Sequence, residues 1–452
     1  MNRPVRTTTL AVWIACSLLS ATLAACSGSG GGDAKPTGTT PADTKNDDKK
    51  DDAKGTAALA GRTIRIAGNA DYAPKPDNPL GVKAISLQKE VEKKYNVKIE
   101  YVAVPQAEYM DKLKASILNG SPIADIVFMG SPGAVPALTE QGLVLPIDNL
   151  LVMSREKEIP VEAFSKLTGY KGKTYGFGTN SSVDQIGIFY NRAMFRTNGL
   201  PDPHEWVKKK EWTWDKFREV ARQLTKDTNG DGKPDQWGLT GYAGDWLWFN
   251  ILANGGSIVD IEAGKQKLDD PKSIAAMDFM AKLFTEDKVV ADPTWAFLDL
   301  FAKGNIGMTP SFSWTGSTWK EKMKQYGYGF LPMPLAPGQT DYANPARQVN
   351  CYFLPKGVKD PAAVLQVWKE LQVWDSKEWV ETYYNTQYDN EDDIEVARML
   401  AGKVRYDFFA GIHGGIIDKI GTELATGKTT AAQAAKTYGP QLQDKIDTIL
   451  KQ

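Results

Sequence analysis

The sequence predicts an α/β protein whose first sheet is parallel and doubly wound, with helices on both faces. Apolar or alternating runs that are typical of strands take turns with amphipathic runs that are typical of helices along residues 62–142. About 390 residues follow a polar segment that ends near residue 60. That length is enough for two domains, each with its own hydrophobic core.

The elements of this first region follow one another in a regular order. Strands are predicted at Arg62–Ala67, Val97–Val104 and Ile123–Met129, and helices at Ala84–Tyr95, Glu108–Leu118 and Val135–Gln141. Ligands of parallel sheets bind outside the carboxyl ends of the strands. The loops that contain Asp71, Tyr72 and Ser131 are therefore candidate ligand contacts, although ordinary turn chemistry explains the same loops.

The second half of the chain predicts further strands and helices. A strand is expected around Ile186 and Ile188, and another over Gly304–Trp314. One helix is expected to start after Thr213, which would be its N-cap, and a second is expected at Ser273–Phe284. A third is expected to have Pro361 in its first turn. The C-terminal region predicts two helices, separated by a break at Gly439–Pro440.

An acidic run follows the helix that starts after Thr213. Oxygen-bearing groups recur at every second position, as in an EF-hand calcium loop, with a backbone carbonyl at the fourth of them: Asp227, Asn229, Asp231, Lys233 and Asp235. The pattern departs from the full motif where a bidentate Glu is expected, because Gly238 stands there. We predict a structural Ca²⁺ site; the alternative is a metal-free loop of Asx turns.

The N-terminal segment has the features of an export signal. Arg3 and Arg6 precede a short apolar run, too short to span a membrane, that ends in Leu-Ala-Ala-Cys at Cys26. This ending is typical of a bacterial lipobox, so residues 1–25 are predicted to be a lipoprotein signal peptide and Cys26 to carry a lipid such as palmitate. The alternative is an ordinary secretory signal with an incidental cysteine.

The composition after cleavage excludes several classes of protein. Removal of two of the 54 basic residues leaves 52 against 55 acidic ones, a formal charge of −3. Such a balance argues against nucleic acid as a partner. Cys351 would be the only thiol left after lipidation, so no disulfide can form within the chain. Residues 26–60 are rich in Gly, Thr, Asp and Lys and are predicted to be a disordered tether.

Several motifs together are similar to those of bacterial extracellular solute-binding proteins of the carbohydrate ABC-uptake class. They are the lipobox, ADIVFMGSP followed by LTEQGLVLPID, YGFGTNSSVDQIGIFYN, NGDGKPDQWG and GNIGMTPSFSW, in this order. The resemblance implies a periplasmic-binding-protein-like fold: two α/β lobes, a hinge, and a ligand cleft between the lobes. It implies crossings near 179–183, 302–305 and 348–352, and lobes formed by 61–180 with 304–348 and by 181–303 with 349–452.

The same resemblance implies a saccharide ligand, an ABC permease as partner, and an extracytoplasmic monomer anchored to the cell membrane. Sugars present an apolar C–H face and a rim of hydroxyls, so aromatic platforms and fixed polar groups suit them. The aromatic candidates are Trp246, Trp248, Trp295, Trp314, Tyr72, Tyr175 and Tyr352. The polar candidates are Asp71, Ser131, Asn180, Asp245 and Arg347. Core packing is the alternative role for each Trp.

Two other functions compete with saccharide uptake. A secreted carbohydrate-active hydrolase or lyase would need a placed acid/base pair, and the many carboxylates do not rule one out. However, no nucleophile elbow, zinc-ligand spacing or phosphate loop occurs in the sequence. A peptide or amino-acid binder would need a charge pair for the ligand termini, which Arg347 and Asp245 could supply. We therefore expect a binding protein and no enzyme.

Overall fold

The computed structural model describes most of the chain after the signal and tether segments. The described residues are 59, 61–150, 164–165, 168–179, 184–260, 263–346, 348–373, 377–407 and 410–450. The predictions for Cys26, the tether, Asn180 and Arg347 lie outside these residues. The described residues form one compact unit.

Fourteen strands are described. They are β1 (Thr63–Gly68), β2 (Lys98–Ala103), β3 (Ile126–Gly130), β4 (Gly169–Tyr170), β5 (Lys173–Thr174), β6 (Ile186–Asn191), β7 (Trp237–Leu239), β8 (Val259–Asp260), β9 (Lys265–Gln266), β10 (Ile306–Phe312), β11 (Tyr328–Pro332), β12 (Asn344–Ala346), β13 (Asn350–Phe353) and β14 (Val404–Tyr406).

The helices of the described ranges lie between and after these strands. They are α1 (Pro79–Tyr95), α2 (Gln106–Leu118), α3 (Ser131–Ala134), α4 (Arg192–Thr197), α5 (His204–Lys208), α6 (Trp214–Leu224), α7 (Ala243–Ala253), α8 (Pro271–Thr285), α9 (Phe297–Ala302), α10 (Thr315–Lys322), α11 (Pro361–Glu370), α12 (Lys377–Gln387), α13 (Glu391–Ala401), α14 (Ala410–Ala425) and α15 (Ala431–Leu450). None of the helices within the described ranges is long and apolar enough to span a bilayer.

The first sheet has the strand order β13-β3-β1-β2. Strand β1 runs parallel to both β2 and β3, as the strand–helix alternation predicts, whereas β13 is antiparallel to β3. Successive residues of β1 face opposite sides, so Ile66 and Ala67 belong to two different buried clusters. The sheet is therefore covered on both faces, and its carboxyl edge is left for loops.

The second sheet has the order β11-β6-β10-β7. Strand β6 is antiparallel to β10 and β11, and β7 is parallel to β10. All six residues of β6 are buried, since helices cover it as well. The largest hydrophobic cluster of the described residues surrounds this sheet and includes side chains of α6, α7 and α8.

Most of the predicted elements are confirmed, with shifts of a few residues at their ends. Thr213 caps α6 by accepting a hydrogen bond from the Lys216 N–H, and α11 starts at Pro361. The predicted helix Val135–Gln141 is wrong: the helix there is α3, and turns follow it. The break at Gly439–Pro440 is also wrong, because α15 continues through Pro440. Packing against α8 and α14 compensates for the hydrogen bond that proline cannot donate.

The predicted division of residues 304–452 between the lobes disagrees with the sheets. Strands β10 and β11 lie in the second sheet, because both of them hydrogen-bond to β6. Strand β13 lies in the first sheet, and α11 packs against α1. No crossing occurs at 302–305, where α9 leads into β10 on the same sheet. The chain returns to the first sheet between β12 and β13.

A buried charged cluster holds α13 against the second sheet. The Asp393 carboxylate is fully buried and receives two hydrogen bonds of 3.0 Å from Arg192. It also accepts the Phe330 N–H at 2.8 Å, and His204 Nε2 lies 3.2 Å from it. Burial opposes the charge on His204, but the hydrogen bonds and charges of Asp393 and Asp202 raise its pKa.

We expect Asp393→Ala to destabilise the fold strongly, because it leaves the partly buried Arg192 without its counter-charge. Loss of one partner of a buried pair costs about 3–5 kcal/mol, measurable by urea unfolding at pH 7. Asp392→Ala is the matched control: its exposed carboxylate pairs with Lys208, so its loss should cost less than about 1 kcal/mol. Equal effects of the two substitutions would contradict the proposed role of the cluster.

Candidate functional site

A cleft of about 670 Å³ lies at the carboxyl edge of the first sheet. The loop after β1 supplies Asp71 and Tyr72, and β3 and β13 supply Phe128 and Tyr352. Asp184, which precedes β6, and Tyr383 of α12 also line the cleft. These two residues belong to elements that pack on the second sheet, so groups from both sheets face one cavity.

Aromatic rings form a continuous row along the first-sheet side of the cleft. Tyr72 lies edge-on to Phe128 with ring centroids 4.7 Å apart, and Phe128 lies 4.7 Å from Tyr352. The row continues to Trp368, whose ring centroid is 5.1 Å from that of Tyr352. Tyr72 is 45% exposed, and its hydroxyl donates to Asn69. Its ring is therefore held in place while it remains open to the solvent.

The rim of the cleft carries a paired charge. Asp71 accepts a hydrogen bond from the Ala73 N–H at 3.1 Å, and its other oxygen lies 3.3 Å from Lys75. The Ala73 N–H and then Lys75 lower the pKa of Asp71 below its ordinary value. The Asp71 carboxylate therefore stays ionised at neutral pH and can accept hydrogen bonds from hydroxyl groups.

Asp184 occupies a different environment inside the cleft. Burial raises its pKa to about 6, and a hydrogen bond from Ser313 opposes this rise. The Ser313 hydroxyl lies 3.2 Å from that of Tyr383. The backbone at Asp184 is fixed because the buried Asn344 donates to its carbonyl and accepts the Ile186 N–H. Asp184 is thus a carboxyl group that is held in place by its backbone contacts and whose pKa lies close to neutral pH.

Two exposed tryptophans lie on the elements of the second sheet. Trp314 directly follows Ser313, is 43% exposed and stacks on Phe312 with a 19° angle between the rings. Trp295 is 51% exposed and stacks on Tyr242 with centroids 4.9 Å apart. Each indole ring is thus supported on one face by a second aromatic ring. Such supported, exposed rings are suited to contact a flat apolar ligand surface.

The sequence profile of bacterial extracellular solute-binding proteins matches residues 81–389 of the chain, which is more than half of it. The chain belongs to this family. Its members are substrate-binding proteins of transport systems. A search of curated protein sequences gave no match for this solute-binding protein.

Solved structures show the same fold. An ABC substrate-binding protein of Listeria monocytogenes, in complex with cycloalternan, has a TM-score of 0.64 at 18% identity over 86% of this chain and 99% of its own. The GacH receptor of Streptomyces glaucescens, studied with acarbose, has a TM-score of 0.64 at 18% identity over 87% and 99%. A maltodextrin-binding MalE domain of Bdellovibrio bacteriovorus, bound to maltotriose, has a TM-score of 0.61 at 17% identity over 86% and 100%. The solute-binding protein therefore has a periplasmic-binding-protein-like fold.

The structure brings together only some of the residues that the sequence nominates. Asp71, Tyr72 and Tyr352 line the cleft. Trp314 neighbours Ser313, which bonds to the cleft residue Tyr383. Trp295 is exposed but does not line this cavity. Asn180 and Arg347 lie outside the described residues. Five other nominated residues do not line the cleft: Ser131, Tyr175, Asp245, Trp246 and Trp248.

Burial explains why these last five residues are absent from the cleft. Trp246 is 2% exposed, and every residue of α7 from Ala243 to Leu252 is buried, Asp245 and Trp248 included. A helix whose residues are nearly all apolar or small on every face belongs in a core, even where it carries single polar residues such as Asp245 and Asn250. Tyr175 packs in the first-sheet core, and Ser131 is buried where its hydroxyl accepts the Val349 N–H.

Sequence reasoning missed Asp184 and Tyr383 as cleft residues. Asp184 stands directly before the fully apolar strand β6, within the motif SSVDQIG. A carboxylate at the start of a buried strand was the available signal. Tyr383 offered no such signal, because its position depends on the packing of α12 against α10.

The acidic loop after α6 forms a series of Asx turns. Asp227 accepts the Gly230 and Gly232 N–H groups, at 2.6 and 2.7 Å, and both glycines have positive φ. Asn229 and Asp231 each accept one backbone N–H, while Asp235 accepts three hydrogen bonds. Within the described residues, no three acidic, His or Cys side chains converge as metal ligands. Calcium binding would therefore require the carboxylates to turn inward.

The raised pKa of Asp184 predicts a pH-dependent cost to stability. The cost of ionising this partly buried carboxylate is fully present above pH 6 and disappears as the pH falls below the ordinary value of 3.8. We expect Asp184→Asn to raise the melting temperature at pH 8 and to have little effect at pH 4.

The control for this test is Asp71→Asn, which makes the same chemical change on the exposed rim, where the pKa is lowered. It should give no gain in melting temperature at pH 8. A gain from Asp184→Asn that is the same at pH 4 and pH 8 would contradict the buried environment of its carboxylate.

Proposed function

We propose that this solute-binding protein captures a saccharide in its cleft and delivers it to the permease of an ABC importer. One observation supports this most strongly: a single cavity is lined by groups from both sheets, Tyr72 and Tyr352 on one side and Asp184 and Tyr383 on the other. A ligand that touches both sides stabilises the state in which they are close, so binding drives hinge closure.

The chemistry of the cleft supports a saccharide as the ligand. The rings of Tyr72, Phe128 and Tyr352 offer apolar surface for the C–H groups of a sugar ring, and the fully buried Trp368 supports Tyr352 from behind. Asp71 and Asp184 offer carboxylate acceptors for hydroxyl groups. The related structures named above were solved with sugars or sugar-like ligands, which makes the same class of ligand the first choice here.

Binding without turnover is part of the same proposal. The family consists of substrate-binding proteins. The alternative of a peptide ligand relied on a charge pair between Arg347 and Asp245, and Asp245 is buried in α7. We further propose that Cys26 carries the lipid and that residues 26–60 tether a monomer to the outer face of the cell membrane, next to the permease.

We also propose that the loop from Asp227 to Asp235 binds one structural Ca²⁺. Support comes from the alternate spacing of its oxygen ligands and from the glycines of positive φ that permit a tight wrap. The single side-chain oxygen of Asn229 and one of the two carboxylate oxygens of Asp231 each accept one backbone hydrogen bond, so a lone pair on Asn229 and the second oxygen of Asp231 are left for an ion.

Calorimetric titration with maltotriose, mannotriose and acarbose tests the saccharide proposal. We expect saturable binding of at least one of them. Tyr72→Ala should weaken that binding about 2- to 10-fold, because an aromatic contact contributes about 0.5–1.5 kcal/mol beyond its area. Leu118→Ala is the control, since Leu118 is exposed at the end of α2, outside the cleft. Release of shorter sugars during the titration would contradict binding without turnover.

Thermal unfolding with and without a chelator tests the calcium proposal. We expect Ca²⁺ to raise the melting temperature of the wild-type protein and of Asp278→Ala, which removes an exposed carboxylate from α8. Asp231→Ala should abolish this shift, because it removes one ligand from the middle of the loop. A calcium shift that persists in Asp231→Ala would place the ion elsewhere.

A further inference from the structure

Helix α3 of the first sheet touches the first turn of α14, which packs on the second sheet. The contact is between Pro132 and Gly411, and it is so close that a Cβ atom on Gly411 would overlap the carbonyl oxygen of Pro132. The neighbouring glycine of the same helix, Gly415, has open space around its Cβ position. The absence of a side chain therefore matters at Gly411 and not at Gly415.

The residues next to this contact, on α3 and before α14, are hydrogen-bonded to the segment that crosses between the two sheets. Ser131 binds Val349 through two hydrogen bonds, from the Ser131 N–H to the Val349 carbonyl at 2.7 Å and from the Val349 N–H to the Ser131 hydroxyl at 3.2 Å. On the other side, the Asp407 N–H donates to the Ala346 carbonyl at 3.2 Å. Ala346 ends β12, and Val349 immediately precedes β13.

A buried hydrogen bond between side chains holds the first turn of α14 to this crossing. His413 is completely buried, and its Nε2 hydrogen-bonds to the Asp407 carboxylate. The imidazole ring also packs edge-on against Trp248, with centroids 5.0 Å apart. The helix end that contains Gly411 is therefore fixed. His413 links it to Asp407, and Asp407 is hydrogen-bonded to the crossing segment.

The contact lies on the side of the hinge where the cleft opens. Helix α3 directly follows the carboxyl end of β3, and the cleft loop with Asp71 and Tyr72 follows the carboxyl end of β1. Strands β1 and β3 are parallel neighbours, so both loops lie at the same edge of the first sheet. Closure over a ligand brings the second-sheet elements toward this edge.

We propose that Gly411 is a positioning residue for closure. Because glycine has no side chain, α14 packs directly on Pro132, and this contact sets how far the two sheets close over the ligand. The proposal rests on the hinge-closure function proposed above. A methyl group at Gly411 would hold α14 and α3 apart at the cleft edge and would shift the equilibrium toward the open state. The ligand would then bind more weakly without any change in its contact residues.

The test compares Gly411→Ala with Gly415→Ala, which makes the same change one helical turn away in open space. Spin labels on Asp111→Cys in α2 and Asp278→Cys in α8, in a Cys16→Ser, Cys26→Ser background, report the distance between the two sheets by pulsed electron paramagnetic resonance. Cys351 is fully buried and should remain unlabelled. Calorimetry with maltotriose, mannotriose and acarbose gives the affinities of the same variants.

We expect Gly411→Ala to shift the label distances to longer values and to weaken sugar binding about fivefold or more, the scale of typical coupling between sites. Gly415→Ala should match the wild type in both measurements. Equal distances and affinities in the two variants would overturn the proposal. If the wild type binds none of the sugars, the saccharide proposal fails, and the label distances alone decide whether Gly411 controls closure.

Asp407→Asn keeps the test decisive if Gly411→Ala does not fold. It preserves the size of the side chain but weakens the bond that holds the first turn of α14 through His413. We expect longer label distances and weaker binding in the same direction, and a folded Asp407→Asn variant that matches the wild type in both would overturn the proposal.

Discussion

The pairing of β13 with β3 is the constraint on which the cleft depends. After the chain has built the second sheet, it returns and adds an antiparallel strand to the edge of the first one, with Tyr352 opposite Phe128. This register places the Tyr352 ring beside Phe128 and closes the aromatic row that starts at Tyr72. Without this return the first-sheet side of the cleft would lack Tyr352, and the aromatic row between Phe128 and Trp368 would be interrupted.

The local elements of the fold were predictable because periodicity and capping act over a few residues. The three parallel strands of the first sheet and the cap at Thr213 follow from such patterns, whereas β13 was not predicted. The membership of β10 and β11 in the second sheet was not predictable in this way. It depends on which distant strand they pair with, and the local sequence of a short apolar strand does not specify its partner. The continuous helix through Pro440 likewise depends on neighbours that compensate for the lost hydrogen bond.

The site shows the same division between local and distant information. Trp246 and Trp248 were predicted as sugar platforms, yet both are core residues of α7. The distinguishing signal was present: Asp245 and Asn250 are the only polar side chains among the eleven residues of that helix, whereas Trp314 lies beyond the end of β10 and is followed by Thr, Gly and Ser. Tyr383 reaches the cleft only because α12 folds back against α10, and one segment of sequence does not contain that contact.

Asp184 illustrates how a carboxylate that lines the cleft opposes stability in this fold. A carboxylate whose pKa is raised by burial is worse for the folded state than a neutral side chain of the same size. The buried cluster around Asp393 shows the opposite case, because Arg192 and His204 compensate its charge. At Asp184 only a hydrogen bond from Ser313 opposes the effect of burial, and no cation compensates the charge among its pKa determinants. Under the function proposed above, the hydroxyl groups of a saccharide would donate hydrogen bonds to this carboxylate, so that the energy lost at Asp184 in the empty cleft would be recovered as affinity for the ligand.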